Sequence, residues 1–219
     1  MLASIITPLT FLALVGATPV PQAAQQLSRS KGFHLKAELR DQTKDLDPPV
    51  AGTYLSGIHV GAGQNIAVVS ASNPGSSTPY YSNGTEAQGW VDVLNDLGTD
   101  FPWGFIVQDS ESTDATYPGE HDASINVGGG SNGITIEQSG DSVALSGLAP
   151  GYYAVCDRFI GYVRTNIQVV RYVYEGETLP ENCAAVNFVP QCATLDDLPA
   201  TSEWTHDFVQ EIDCVAPSA

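Results

Sequence analysis

The sequence predicts a mainly β protein: an antiparallel β-sandwich or barrel-like fold with one or two short helices, stabilised by disulfides. Three observations carry this expectation. The 219 residues include 21 glycines and 14 prolines, so turns are frequent and long helices are unfavourable. Short apolar segments with period-two alternation recur between those turns, which is the pattern of half-buried strands. Four cysteines, an even number, lie in the C-terminal third, where paired crosslinks would staple such strands.

The organisation follows in chain order. Residues 1–17 carry no charge, contain an apolar run and end in Val15-x-Ala17, the small-residue pattern of a cleaved signal peptide. Residues 18–30 are rich in Pro, Gln and Ser without periodicity and read as a disordered tail or propeptide, leaving a single β-rich domain over 31–216. Phe33, Leu35, Ala37 and Leu39 alternate with His34, Lys36, Glu38 and Arg40, predicting a strand with a wet face on which His34 points to solvent. Tyr54 to Val60, a Gly-rich turn and Ile66 to Val69 read as a hairpin. The segment Ile125 to Asn132 echoes Ile58 to Asn65, implying a second hairpin built around Gly128 to Gly133.

Trp90, Val91, Val93, Leu94 and Leu97 fall at helical spacing ahead of Gly98, which predicts a short helix over 86–97. Phe101, Trp103, Phe105 and Val107 then share one face of an aromatic strand destined for the core. Tyr152 to Cys156, Tyr162 to Val173, Val186 to Val189 and Phe208 to Ile212 supply further strands, and 194–198 reads as a helical turn before Pro199. The strand over 184–190 would hold Cys183 and Cys192 too far apart to bridge each other. Cys156 is therefore expected to pair with Cys183 or Cys192, with Cys214 taking the other.

Charge narrows the function classes. With 25 acidic and 8 basic residues the net charge is −17, which repels a phosphate backbone and excludes nucleic-acid binding. Only three lysines occur, all before residue 45, and so acidic a body suits an acidic milieu. Beyond the N-terminus every apolar run is interrupted before the roughly 18 residues a membrane span needs.

Several motifs imitate catalytic or metal sites. Gly128 to Gly133 satisfies both G-x-G-x-x-G and G-x-S-x-G, but both motifs require a helix to follow, and Ile134-Thr135-Ile136-Glu137 reads as a strand. Ser131 as nucleophile with His206 as base is thus a weak catalytic alternative, and a hairpin turn is favoured. Asp109 to Glu120 partly imitates a calcium loop, yet its sixth position is Asp114 rather than Gly. A solvated acidic loop is favoured, and no metal site is assigned. Neighbouring Asp157 and Arg158 are read as a buried ion pair. His59 is read as structural, and no cofactor motif emerges.

The favoured ligand-binding residues are aromatic. Pyranose rings stack on exposed Trp and Tyr, and Tyr80 and Tyr81, in a Pro-, Ser- and Asn-rich turn, are expected at the surface with Trp90 nearby. Asn83-Gly84-Thr85 is a glycosylation sequon in the same turn, so Asn83 is expected to face solvent.

Taken together, Tyr54 to Asn65, Gly151-Tyr-Tyr-Ala-Val-Cys156, Cys183, Pro190-Gln-Cys192-Ala193 and the stretch from His206-Asp-Phe to Cys214 resemble an uncharacterised family of small secreted proteins of filamentous fungi. The resemblance covers residues 31–215. It implies a signal peptide, one disulfide-bonded domain and an extracellular or cell-wall location, and it brings no catalytic residues. The expected function is therefore that of a secreted, non-enzymatic protein whose partner is cell-wall polysaccharide or an extracellular protein. A secreted acid-acting hydrolase, glycosidase or esterase, is the alternative, since 25 carboxylates always supply some pair at a useful separation.

Overall fold

The period-two pattern of β2 (Gly32–Leu39) is realised in full: Phe33, Leu35, Ala37 and Leu39 are buried, while His34, Lys36 and Glu38 alternate with them half-buried. At about 1.5–3 kcal/mol for each fully buried large apolar side chain, this one face anchors much of the core. The computed structural model describes residues 26–70 and 78–217. The signal-peptide segment 1–17 and most of the 18–30 tail lie outside the described residues.

From β2 the sheet runs in one direction through β5 (Tyr80–Thr85), β6 (Trp90–Asn95), β7 (Trp103–Val107) and β8 (His121–Val127). In the other direction it runs through β13 (Cys183–Ala193), β11 (Gly151–Ile160) and β12 (Thr165–Tyr174). Pairing of β8 with β12, at Arg171↔Asp122 and Tyr172↔His121, closes this path into a barrel-like ring. The hairpin of β3 (Tyr54–Gly61) and β4 (Gln64–Ser70) pairs with β2, β12 and β8, and β9 (Ile136–Ser139) with β10 (Ser142–Leu145) forms a separate two-stranded sheet. Phe33, Phe105, Ile125, Tyr153, Val170, Tyr172 and Phe188 fill the interior with Ile134 and Leu145. Among the described residues no helix is long and apolar enough to cross a membrane.

The structure corrects several expectations. Residues 86–97 are not a helix: a 3-10 turn, Glu86–Gln88, is capped by Thr85 and ended by left-handed Gly89, after which β6 pairs along β5. The β-branched Val91 and Val93 favour that strand, and its partner supplies hydrogen bonds that an isolated short helix could not match. Residues 194–198 run as irregular chain instead of a helical turn. Leu27–Ser30, within the expected tail, forms β1 and pairs with β15 (Ile212–Val215). The sheet is also not purely antiparallel, because β15 meets β13 in parallel at Gln191↔Val215. The wet face of β2 is partly covered by its neighbours, so His34 is half-buried and burial pushes its imidazole toward the neutral form.

The second Gly-rich segment does not turn a hairpin. It crosses over β6 and β7, where Ser131 N–H donates to the Phe105 carbonyl (2.9 Å) and Gly133 N–H to Val91 (2.7 Å). A Cβ on Gly130 would lie 2.8 Å from the Phe105 oxygen, so only glycine permits this approach. Cys156 and Cys183, in register across β11 and β13, form one disulfide, and Cys192–Cys214 ties β13 to β15. Loop closure alone makes each worth about 3 kcal/mol.

Candidate functional site

Two networks of polar side chains stand apart from the apolar core. The first explains the segment that imitates a calcium loop. Glu120 and Asp122 sit on one face of the chain, as alternation requires, and both meet Arg171, which is 1% exposed. Glu120 also accepts from Arg158 Nη2 at 2.5 Å, and Asp114 Oδ2 lies 3.2 Å from Arg171 Nη2. Tyr117 packs against both guanidinium groups, 5.1 and 5.9 Å from its ring centroid.

His121 points the other way: Nδ1 lies 3.0 and 2.7 Å from the Asp109 and Ser112 carbonyls, and Nε2 lies 2.9 Å from Glu177 Oε1. The loop is thus not simply solvated, because Glu120 is buried as a bridge between two arginines. Nor does Arg158 pair with the Asp157 carboxylate. Adjacent strand residues face opposite ways, and Arg158 reaches only the Asp157 backbone oxygen (2.7 Å). Among the described residues no group of three His, Cys, Asp or Glu side chains is placed to hold a metal ion.

The predicted ligand residues are placed differently from the expectation. Tyr80 and Tyr81 are 3% and 0% exposed, because both lie inside β5 with strands on either side, so neither offers a stacking face. Asn83 is 2% exposed, flanked by Val209 of β14 (Val209–Gln210) and Asp92 of β6, which leaves no room for a glycan in the folded protein. Trp90 is half-buried with Phe208 set edge-on at 5.6 Å. Ser131 and His206 are not brought together: Ser131 Oγ is engaged by Val107 N–H (3.1 Å) at the far end of β7. His206 sits beside Asp96 near the Trp103 end, four residues or about 13 Å along the strand. His59 is exposed, with Tyr162 edge-on at 6.3 Å.

The second network lies where β5 begins and β6 ends. The Tyr81 hydroxyl donates to Asp96 Oδ1 (2.7 Å), His206 Nε2 lies 3.0 Å from Asp96 Oδ2, and Trp204 Nε1 donates to the Tyr81 oxygen (3.1 Å). Burial, reinforced by the Asp96 carboxylate, drives the Tyr81 hydroxyl far above its ordinary range, so it remains a neutral donor. This chain fixes the Trp204 indole, which is only half-buried.

Trp204 faces a groove of about 490 Å³ lined by Asp100, Phe101, Pro102, Thr201 and Glu203. Ser202 staples its two walls, donating from Oγ to the Asp100 carbonyl (2.8 Å) while accepting from Trp204 N–H (3.1 Å). Phe101, expected in the core, lies two residues before β7 on the buried Trp103 ring and is 45% exposed. Two apolar ring surfaces with carboxylates and a hydroxyl at the rim can hold the C–H face of a sugar ring while accepting from its hydroxyls.

The sequence patterns select none of Trp204, Asp96, Asp100 and Glu203. The usable signal was the setting of Trp204, in a Pro-, Thr- and Ser-containing stretch without strand alternation.

A family model described as a domain of unknown function (DUF7907) matches residues 30–192. The antigenic protein SchS34 of Stachybotrys chartarum is 28% identical over 200 residues, spanning 85% of this chain and 86% of its own length. No solved structure matches. The 201–204 wall of the groove lies beyond the part the family model matches.

Proposed function

The chain belongs to the DUF7907 family, and from that premise we propose that it is an exported, non-enzymatic protein that binds a neutral sugar residue of an extracellular or cell-wall polysaccharide. The observation that carries this reading is the pre-organised groove between Phe101 and Trp204, its indole oriented through Tyr81 and Asp96. Two disulfides suit an oxidising compartment outside the cytosol. The related fungal chain bears the name of an antigenic protein, which supports a place outside the cell. Asp100 and Glu203 bring negative charge to the rim, which favours a ligand that donates hydroxyl hydrogens over one that is itself anionic.

The test is retention of the purified chain on insoluble chitin, β-glucan and isolated fungal walls, with the soluble fraction assayed for released sugar. The expected result is retention on at least one polymer without release, lowered about tenfold or more by Trp204→Ala. Released sugar that persists after repurification would replace this reading with the acid-acting hydrolase, with Asp100 and Glu203 the carboxylates to replace first. Retention unchanged in both Trp204→Ala and Phe101→Ala would remove the groove from the proposal.

A further inference from the structure

A second cleft, sharing no residue with the aromatic groove, opens between the β9–β10 hairpin, the 146–150 loop and the barrel wall. Its volume is about 460 Å³, within the usual range for small-molecule sites. Its floor is tyrosine. The buried Tyr153 hydroxyl donates to the Ser146 carbonyl (2.6 Å) and that of Tyr172 to the Ala149 carbonyl (2.7 Å), so both rings pin the overlying loop. Ser146 ties the same loop to the hairpin, its Oγ accepting from Thr135 N–H (3.0 Å) while its own N–H donates to the Thr135 carbonyl (2.8 Å). A Cβ on Gly147 would overlap the Tyr172 ring, so the loop backbone rests directly on the floor. The cavity is therefore preformed.

Its arginine differs from those that are paired with carboxylates. Arg158 and Arg171 are buried against carboxylates, and Arg29 lies 3.8 Å from Asp213. Arg40, at the end of β2, lines this cleft and has no carboxylate within ion-pair distance among the described residues. Its guanidinium carbon instead sits 5.0 Å from the Tyr152 ring centroid. Stacking of this kind holds a guanidinium in place while leaving its N–H edge free for a two-point contact with a carboxylate. Glu137 of the β9–β10 hairpin and Asn187 of β13 complete the rim. Burial, with Tyr174 and Glu137 adding to it and Arg40 opposing, pushes the Tyr172 hydroxyl up to about 12, so it stays a neutral donor to the loop. A cavity-facing guanidinium that no carboxylate pairs with among the described residues offers a local attraction to an anion, against the repulsion of the chain's net charge of −17.

We propose that this cleft binds a small hydroxylated carboxylate of the sugar-acid class, its carboxylate on Arg40 and Asn187 and its hydroxyls donating to Glu137. Charge on one wall and acceptors on the other discriminate in two directions. A neutral sugar leaves Arg40 unanswered, and a bare carboxylate leaves Glu137 unanswered.

The test titrates the full chain with D-galacturonate, D-galactose and acetate by calorimetry, up to about 10 mM, enough to see a Kd of order 1 mM. Galacturonate should saturate, with galactose and acetate about tenfold weaker or more. Arg40→Gln should weaken galacturonate about tenfold, the loss expected for a charged hydrogen-bond pair, with Arg40→Lys intermediate. Arg40 is exposed, so its variants should melt like the parent. Trp204→Ala should leave galacturonate binding unchanged, which separates this site from the aromatic groove whatever becomes of that one. Absence of saturation, binding of galactose equal to that of galacturonate in the Trp204→Ala variant, wild-type affinity in Arg40→Gln, or loss of galacturonate binding in Trp204→Ala would each overturn the proposal.

Discussion

The Arg158–Glu120–Arg171 cluster and the Trp204–Tyr81–Asp96–His206 chain are both charged networks beneath the surface, but they face different partners. In the first, every charge is turned toward another: Glu120 takes both arginines, Asp114 and Asp122 take the remaining edges of Arg171, and Tyr117 packs against both guanidiniums. Such a network has nothing left to offer a ligand, and its work is to fix the 109–120 segment against β11 and β12. In the second, the hydrogen bonds run outward along a chain that ends on a half-buried indole at a groove. A complete buried network serves architecture, and the one that stops at an aromatic face is where the proposed sugar site is placed.

The sharpest way to break this contrast is Glu120→Ala. Removing the shared carboxylate leaves two guanidinium groups buried at 7% and 1% exposure without their main counter-charge. The expected cost is about 3–5 kcal/mol in denaturant unfolding at neutral pH. Polymer retention by whatever protein remains folded should be unchanged. A loss below about 1 kcal/mol would mean that the cluster is no anchor, and the distinction between the networks would fall with it.

Tyr81→Phe probes the second network more gently. It deletes the hydroxyl that accepts from Trp204 and donates to Asp96 while keeping the buried ring between its strands. Stability should fall by about 1–2 kcal/mol. Polymer retention should fall as well, because the indole loses the bond that orients it, whereas Glu120→Ala would lower stability alone. Retention equal to the parent's in Tyr81→Phe would show that the groove does not depend on the chain behind it.

Much of the barrel wall was legible along the chain: β2, β3 and β7 fall where period-two patterns place them, and β4, β11, β12 and β13 overlap short apolar, β-rich runs. What escaped was information held in partners distant along the chain. Trp90, Val91, Val93 and Leu94 fit a helix as well as a strand over so short a window, and only pairing with β5 decides between them. Tyr80 and Tyr81 carry turn-like neighbours, yet β2, β6 and β14 close over their strand. The cysteine pairing was narrowed by reach and completed by register, since Cys156 and Cys183 prove to be cross-strand neighbours. The groove was hidden for the same reason: Asp96 and Phe101 are more than a hundred residues from Trp204 and share no spacing with it.

Between the complete network and the open one lies a third pair that is only half satisfied. Asp92 and Asn83 are opposed across β5 and β6; Asp92 Oδ2 accepts from Gly130 N–H (2.9 Å), but Asp92 Oδ1 and Asn83 Oδ1 are buried with no hydrogen-bond partner. Burial raises the Asp92 carboxyl above its ordinary value, with the Gly130 and Asn83 contacts opposing the rise. A raised folded-state value means that the native protein binds this proton more readily than the unfolded chain does. Ionised Asp92 therefore costs stability above its folded pKa, and the cost fades as pH falls through that value toward the unfolded one. Asp92→Asn keeps an acceptor for Gly130 and removes the half-buried charge. Its expected effect is a gain of no more than about 1 kcal/mol at neutral pH, small because the carboxylate is only half-buried and screened by water. The gain should shrink as the pH of the unfolding measurement is lowered, because the parent then relieves the same cost by protonation. A variant less stable than the parent at neutral pH, or a gain that grows on acidification, would show that the Asp92 charge is used and would move this pair into the class of the arginine cluster.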